Sequence, residues 1–226
     1  MRLGPLRWLI LGLLFLSTVI NYVDRQALSV LLPTLRGELG LSSADYGVIT
    51  TVFMLAYALA QVPVGMWIDR VGTRIGFSVS IVAWSLAAVL HALARGPWTL
   101  GILRGLLGVS EAGNWPAGTK AVACWFPQHR RALAMAVFDS GSALGAVAAP
   151  PVVALLALNF GWRAAFVVTG LLGFGWLAAW LVVYYGPENH PWLSAEDRAT
   201  ALKELGLVRA KPPIFGQPLR RIIGTR

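Results

Sequence analysis

The sequence predicts an all-α membrane protein of six transmembrane helices, and three observations carry that expectation. Of its 226 residues, 57% are hydrophobic and only 13% charged, about half the charge of an ordinary soluble domain. The apolar residues run in stretches of about twenty or more, enough at 1.5 Å per residue to cross a hydrocarbon layer of about 30 Å. Lys and Arg gather at alternate ends of those stretches, as topology in a membrane requires.

Taken in order, spans are expected at about 8–33, 45–68, 75–95, 98–124, 131–158 and 164–185. The first begins MRLGPLRWLILGLLFL, with Arg2 and Arg7 ahead of an apolar run. No small-residue cleavage site follows, so it reads as a retained helix and not as a signal peptide. Asp45 is expected to open the second helix, and Pro97 or Trp98 the fourth. The connections at 34–44 and 159–163 carry Gly, Ser or Asn, residues that favour turns. Arg2, Arg7, Arg70, Arg74, Arg130 and Arg131 share one set of helix ends with the tail, whereas Arg36, Arg95 and Arg163 share the other. The richer side is expected to be cytoplasmic, which places both termini inside. Residues 1–186 thus form a six-helix bundle, and 187–226 a basic, Pro-rich cytoplasmic tail. Within the tail, SAEDRATALKEL predicts a short surface helix at 194–205.

Composition also excludes. The formal net charge of +9 is spent on orientation and on the tail beside anionic lipid, so nucleic acid is a poor partner. A single cysteine, Cys124, rules out an internal disulfide framework. His91, His129 and His190 are scattered and predict no metal site, and no nucleotide-binding loop or hydrolase motif occurs. An enzyme is not expected, and no cofactor.

Against this apolar background four charges stand out: Asp24 and Arg25 in the first span, Arg104 and Glu111 in the fourth. A charge at membrane depth costs at least a few kcal/mol, so such residues face a water-filled path or one another. The run Trp8–Val23 is too short to span alone at about 24 Å, and apolar sequence resumes after Arg25 as far as Pro33. The helix therefore runs through the charges. Arg104 and Glu111, two turns apart, share a face, so both arginines can meet both acids in one cavity. Pairing helix 1 with helix 4 as counterparts suggests a 3+3 inverted repeat with its site at the interface of the repeats. Two acids and two arginines so placed suggest movement of a proton with an anion. The competing reading is a purely structural salt-bridge network.

After the second span the chain reads Gly65-Met-Trp-Ile-Asp69-Arg70-Val-Gly72-Thr-Arg74. Gly65 is expected to let neighbouring helices approach closely. Asp69, at a helix C-terminus where the dipole disfavours an anion, needs a cation such as Arg74 or one from the next inner loop. This run resembles the signature of the major facilitator superfamily. NYVDR (21–25), RGLLGVSEAGNWPAGTKAVACWFP (104–127), RRALAMAVFDSGSALGAVAAPP (130–151) and FGWRAAFVVTG (160–170) resemble its anion:cation symporter branch, and within it bacterial hexuronate transporters. The resemblance implies proton-coupled uptake of a sugar acid across the cytoplasmic membrane. Asp24 and Glu111 fall on its proton-coupling positions, and Arg25 and Arg104 on those pairing with them and with the substrate carboxylate. Tyr22, Tyr57 and Asn114 fall where cavity-lining partners for hydroxyls are expected. Gly65, Asp69, Arg70, Gly72 and Arg74 form the cytoplasmic gate motif.

Trp115 and Asp139 depart from that pattern, which usually has Phe and Asn there. Such transporters have twelve spans, so a second six-helix half or another copy of this chain is an expected partner. The alternative is a membrane module that does not transport, or one that partners a full-length carrier. By depth, Lys120 and Asp139 both sit roughly 8–12 Å from the inner end of neighbouring helices, which predicts an ion pair between them.

Overall fold

The structure, a computed structural model, describes residues 2–206, so the part of the expected basic tail at 207–226 lies outside the described residues. The chain is all-helical: α1 (Leu3–Leu39), α2 (Ser43–Val71), α3 (Thr73–Leu90), α4 (Pro97–Glu111), α5 (Asn114–Trp125), α6 (Gln128–Val183) and α7 (Ala195–Glu204). Four of these are long and apolar enough to cross a membrane. Six crossings result because α4 and α5 together make one, and α6 makes two.

Local chemistry explains the ends. Ser42 caps α2 with Asp45 in a reciprocal capping box, so the helix opens ahead of Asp45. Pro97 sits in the first turn of α4, where its missing N–H costs nothing. At Gly161 (φ 84°, ψ 161°) α6 breaks into two segments, 128–160 and a returning one, 162–183. Gly72 (φ 87°) likewise turns α2 into α3. A side chain at either position would be strained, because positive φ is open to glycine alone at little cost.

Several boundaries differ from the expected ones. Pro33 does not end α1, which continues to a left-handed cap at Gly40; in a packed membrane helix a proline is tolerated where neighbours support the backbone. The connection expected at 159–163 shrinks to the single residue Gly161. The fourth crossing is interrupted at Ala112–Gly113, directly after Glu111.

α1 lies along α6, α2 along α4, and α3 against both α4 and α6. Two apolar cores result. One holds Leu6, Ile10, Leu14, Phe77, Trp84, Phe138 and Trp180; the other holds Leu28, Leu31, Leu100, Trp162 and Phe166. Between them α1 contributes a buried polar stripe of Ser17, Thr18, Asn21 and Asp24, spaced to share one helix face. Leu55, Leu59, Val62, Ile102 and Leu106 are exposed on the flank of α2 and α4, as suits hydrocarbon or an apolar partner.

The closest approach of α2 to α4 runs over Gly108, where an added Cβ would lie 2.5 Å from the Phe53 carbonyl oxygen and 3.1 Å from the Tyr57 amide nitrogen. Gly65, expected to serve such an approach, faces Pro116, and an added Cβ there would lie 3.6 Å from the proline ring, an ordinary van der Waals contact. The close contact therefore belongs to α4 and not to the motif glycine.

Beyond α6 the chain folds back on the bundle end that also carries the N-terminus. His190 is fully buried. Its Nε2 donates to the Val183 carbonyl (2.9 Å), and its Nδ1 accepts from the Trp192 amide (3.2 Å). Its ring sits edge-on to Trp125. Arg198 donates to the His190 carbonyl (3.2 Å), and Ser194 caps α7.

Two predictions follow from this packing. Gly108→Ala lowers stability by about 1–3 kcal/mol through overpacking, whereas Gly65→Ala is neutral or slightly stabilising; equal melting temperatures for the two variants in detergent would refute the assignment. Burial holds His190 below the usual histidine range. The unfolded chain therefore binds a proton that the docked strap excludes. Its stabilisation is present above about pH 6.5 and is lost as pH falls. Proteolysis within 186–206 should rise on acidification, and His190→Gln should flatten that dependence.

Candidate functional site

The polar stripe of α1 meets the charged face of α4 at mid-bundle. Arg25 donates to Glu111 Oε2 from Nη2 (2.8 Å) and Nε (3.1 Å). Glu111 is fully inaccessible, while the Arg25 side chain keeps 19% exposure. One end of the pair is thus sealed and the other open. Arg25 also lies over three aromatic rings: Tyr57 at 4.8 Å, Tyr22 at 5.0 Å and Phe53 at 5.1 Å from their centroids. Such faces attract a guanidinium and exclude water from it. Tyr22 and Tyr57, expected at the cavity, are half-buried beside it. Phe53 is a site residue that sequence reasoning missed, since a phenylalanine in an apolar span carries no signal of its own.

Arg104 and Asp24 are buried at 3% and 1% exposure. Arg104 Nη1 donates to the Arg25 carbonyl (3.2 Å) and Nε and Nη2 meet no acceptor, while neither Asp24 oxygen meets a donor. The two belong to one electrostatic cluster with Glu111, yet no ion pair closes between them among the described residues. Thr169 stands beside Asp24 and Asn21 beside Glu111, though neither closes a hydrogen bond of good geometry. Of the two expected pairings of acid with arginine, the geometry forms one and leaves the other open.

Asn114 is not at the cavity. It is fully buried, accepting from Ser17 Oγ (3.1 Å) and donating to Thr18 Oγ1 (3.3 Å). Its amide is consumed in fastening α5 to α1 just past the helix interruption. The signal for that role was the Ser17, Thr18, Asn21 spacing on α1, which reads as a buried polar face only once its partner is known.

The expected Lys120–Asp139 pair does not form. Lys120 Nζ instead reaches Asp69 Oδ1 (2.9 Å) and the Ile68 carbonyl (3.2 Å), and Asp139 lies exposed on α6. Azimuth decides: Lys120 faces the C-terminal end of α2, whose carbonyl at Ile68 and acid at Asp69 both favour a cation. Asp69 accordingly does not take Arg74. That guanidinium donates to the Leu181 carbonyl (2.5 Å) and stacks 3.8 Å from the Tyr185 centroid. Arg70 is exposed, and Gly72 makes the turn.

A cleft of about 180 Å³ opens beside the ion pair, lined by Arg25, Gln26, Tyr46, Thr50, Phe53 and Arg104. Two cations together with the hydroxyl-bearing Ser29, Tyr46 and Thr50 in one lining suit a small hydroxylated anion. A carboxylate entering here competes with Glu111 for Arg25, and a displaced Glu111 would be left charged in a sealed site unless it gained a proton.

Comparison with known proteins places the chain in a family. Residues 14–224 match the profile described as Major Facilitator Superfamily. A galacturonate transporter of Dickeya chrysanthemi is 35% identical over 197 residues, covering 87% of this chain and 57% of that protein. A hexuronate transporter of Escherichia coli is 38% identical, covering 87% of this chain and 46% of its own length. The chain thus spans about half the length of the curated relatives it matches. A crystal structure of a bacterial homologue of the human lysosomal transporter Spinster, inward-facing and occupied, superposes with a TM-score of 0.75 at 26% identity, covering 81% of this chain and 45% of that one.

The ion pair itself is testable. Arg25→Met strands Glu111 in a dry site and costs about 3–5 kcal/mol, whereas adding Glu111→Gln recovers much of that loss. Thermal unfolding of the singles and the double checks this; additive losses would mean that the pair is not coupled.

Proposed function

The chain belongs to the Major Facilitator Superfamily and is a multi-pass membrane protein, and from that premise we propose that it supplies the N-terminal half of a proton-coupled symporter for a hexuronate-like sugar-acid anion. The observation that carries this reading is the Arg25–Glu111 pair, sealed at the acid and open at the arginine, beside a cleft with a second arginine. The sugar acids named for the relatives above supply the substrate class.

In the proposed cycle the substrate carboxylate takes the Arg25 guanidinium, whose planar fork suits two oxygens. Arg104, with two free nitrogens, offers a second hold. Glu111, deprived of its counter-charge, takes up a proton, and Asp24, already without a donor, takes another. One proton offsets the single negative charge of the substrate, and the second leaves the loaded site one unit positive as it crosses the membrane interior. Tyr22, Tyr57, Tyr46 and Thr50 would meet the sugar hydroxyls. The charged helices α1 and α4 are read as counterparts in an inverted 3+3 repeat, both termini as cytoplasmic, and the membrane as the cytoplasmic one. The Lys120–Asp69 pair would close the motif end of α2 in one conformation and release it in the other. Because the chain spans about half of its relatives' length, a second six-helix half would complete the cavity; a non-transporting module, or a partner of a full-length carrier, is the second reading.

The experiment is uptake into proteoliposomes holding this chain with a C-terminal half. A pH gradient should drive hexuronate accumulation. Glu111→Gln should abolish that accumulation yet retain exchange, and Arg25→Lys should weaken substrate affinity by about tenfold or more. Gradient-driven accumulation by the Gln variant, or equal affinity for a neutral hexose, would overturn the proposal. Absence of uptake with any supplied half would favour the second reading.

A further inference from the structure

Away from the mid-bundle site, a second polar cleft of about 340 Å³ lies where α1, α6 and α7 begin or end, lined by Arg7, Gln128, His129, Arg130 and Glu204, with Pro127 at its base. Arg7 is 7% exposed. Its Nη1 holds Glu204 Oε2 (2.6 Å), but Nε and Nη2, the side-on edge of the fork, meet no acceptor. Burying half a guanidinium without partners is costly, and such a group commonly marks an unfilled anion position.

The opposite wall is the start of α6. Its cap residue, Pro127, supplies no side-chain hydrogen bond; its carbonyl takes the Arg130 amide (2.9 Å), which leaves the amides of 128 and 129 to be satisfied from outside, at the positive end of the helix dipole. Arg130 stands in that turn and His129 precedes it. Glu204, the last residue of α7, is the acid in this set, and its side chain is 43% exposed. A planar carboxylate fills one fork. A tetrahedral anion also has oxygens left for helix amides and a second arginine.

We propose that this cleft binds a phosphate group, presented either by a phospholipid headgroup or as a free phosphate, which reaches the buried, unpaired edge of Arg7 as Glu204 gives way to it. Occupancy would loosen the Glu204 end of α7 while leaving its His190 anchor in place. The inference is independent of the transport reading, because none of these residues touches the Arg25–Glu111 cluster.

The test uses the full chain in uncharged detergent, titrated with sodium phosphate against sodium chloride of matched ionic strength, with melting temperature as readout. Saturable stabilisation specific to phosphate is expected. Arg7→Gln should weaken it by about tenfold or more, and Glu204→Gln should tighten it by up to about fivefold as the competing charge is removed. If Arg7→Gln fails to fold, Glu204→Gln decides alone, and unchanged or weaker binding overturns the proposal. Nanodiscs of phosphatidylcholine with and without phosphatidic acid separate the sources. Stabilisation by phosphatidic acid that abolishes the response to free phosphate assigns the headgroup; an undiminished response assigns the soluble anion. No phosphate-specific effect in either medium overturns the site.

Discussion

A charge inside a membrane bundle must be answered by another charge, and the Arg25–Glu111 pair is where this structure meets that demand. With Glu111 wholly inaccessible, loss of its partner would leave an anion in low dielectric. The rest of the middle layer is arranged around keeping that from happening. Tyr22, Phe53 and Tyr57 hold the guanidinium in place. Gly108 lets α2 come close enough to α4 for Phe53 and Tyr57 to reach it. Asn114, fastened to Ser17 and Thr18, fixes α5 against α1 directly beyond the interruption that follows Glu111.

The two apolar cores serve the same layer from either side. The Trp84, Trp176 and Trp180 cluster closes one end, and Trp162 with Phe166 the other. Indole nitrogens tie these to the first helix: Trp176 donates to the Leu13 carbonyl (2.7 Å) and Trp162 to Glu38 (2.7 Å). Between them α1 carries Ser17, Thr18, Asn21 and Asp24 inward. A rigid frame around a partly unsatisfied polar layer suits a site whose partners must exchange. The buried atoms of Asp24 and Arg104 without hydrogen bonds are costly in a purely structural network and useful in one that takes up protons or an anion.

The end of the bundle near α7 follows a different rule. There charges are shared among helix ends and a returning strap, and several find a carbonyl, a ring or an opposite charge. Lys120 answers Asp69, and Arg74 answers Tyr185 and Leu181. The partly open fork of Arg7 is an exception at this end.

Much of this was legible in the sequence because membrane physics is one-dimensional. Length, hydropathy and Lys/Arg placement depend on distance along the bilayer normal, and rise per residue converts sequence separation directly into depth. The six crossings and the depth of Asp24, Arg25, Arg104 and Glu111 follow from that, whereas the motif at the end of α2 was legible as a resemblance in residue identity. Azimuth does not follow from depth. Lys120 and Asp139 share an expected depth, yet Lys120 faces α2 and Asp139 faces outward, because which side of a helix meets which neighbour is set by the packing of all six. Asn114 was sent to the core, Gly65 left in ordinary contact with Pro116 and Phe53 drawn to the site for the same reason. Sequence determined what lies at each depth; only tertiary packing decided what faces what, since rotation about a helix axis is fixed by side-chain fit between helices and not by anything local to one.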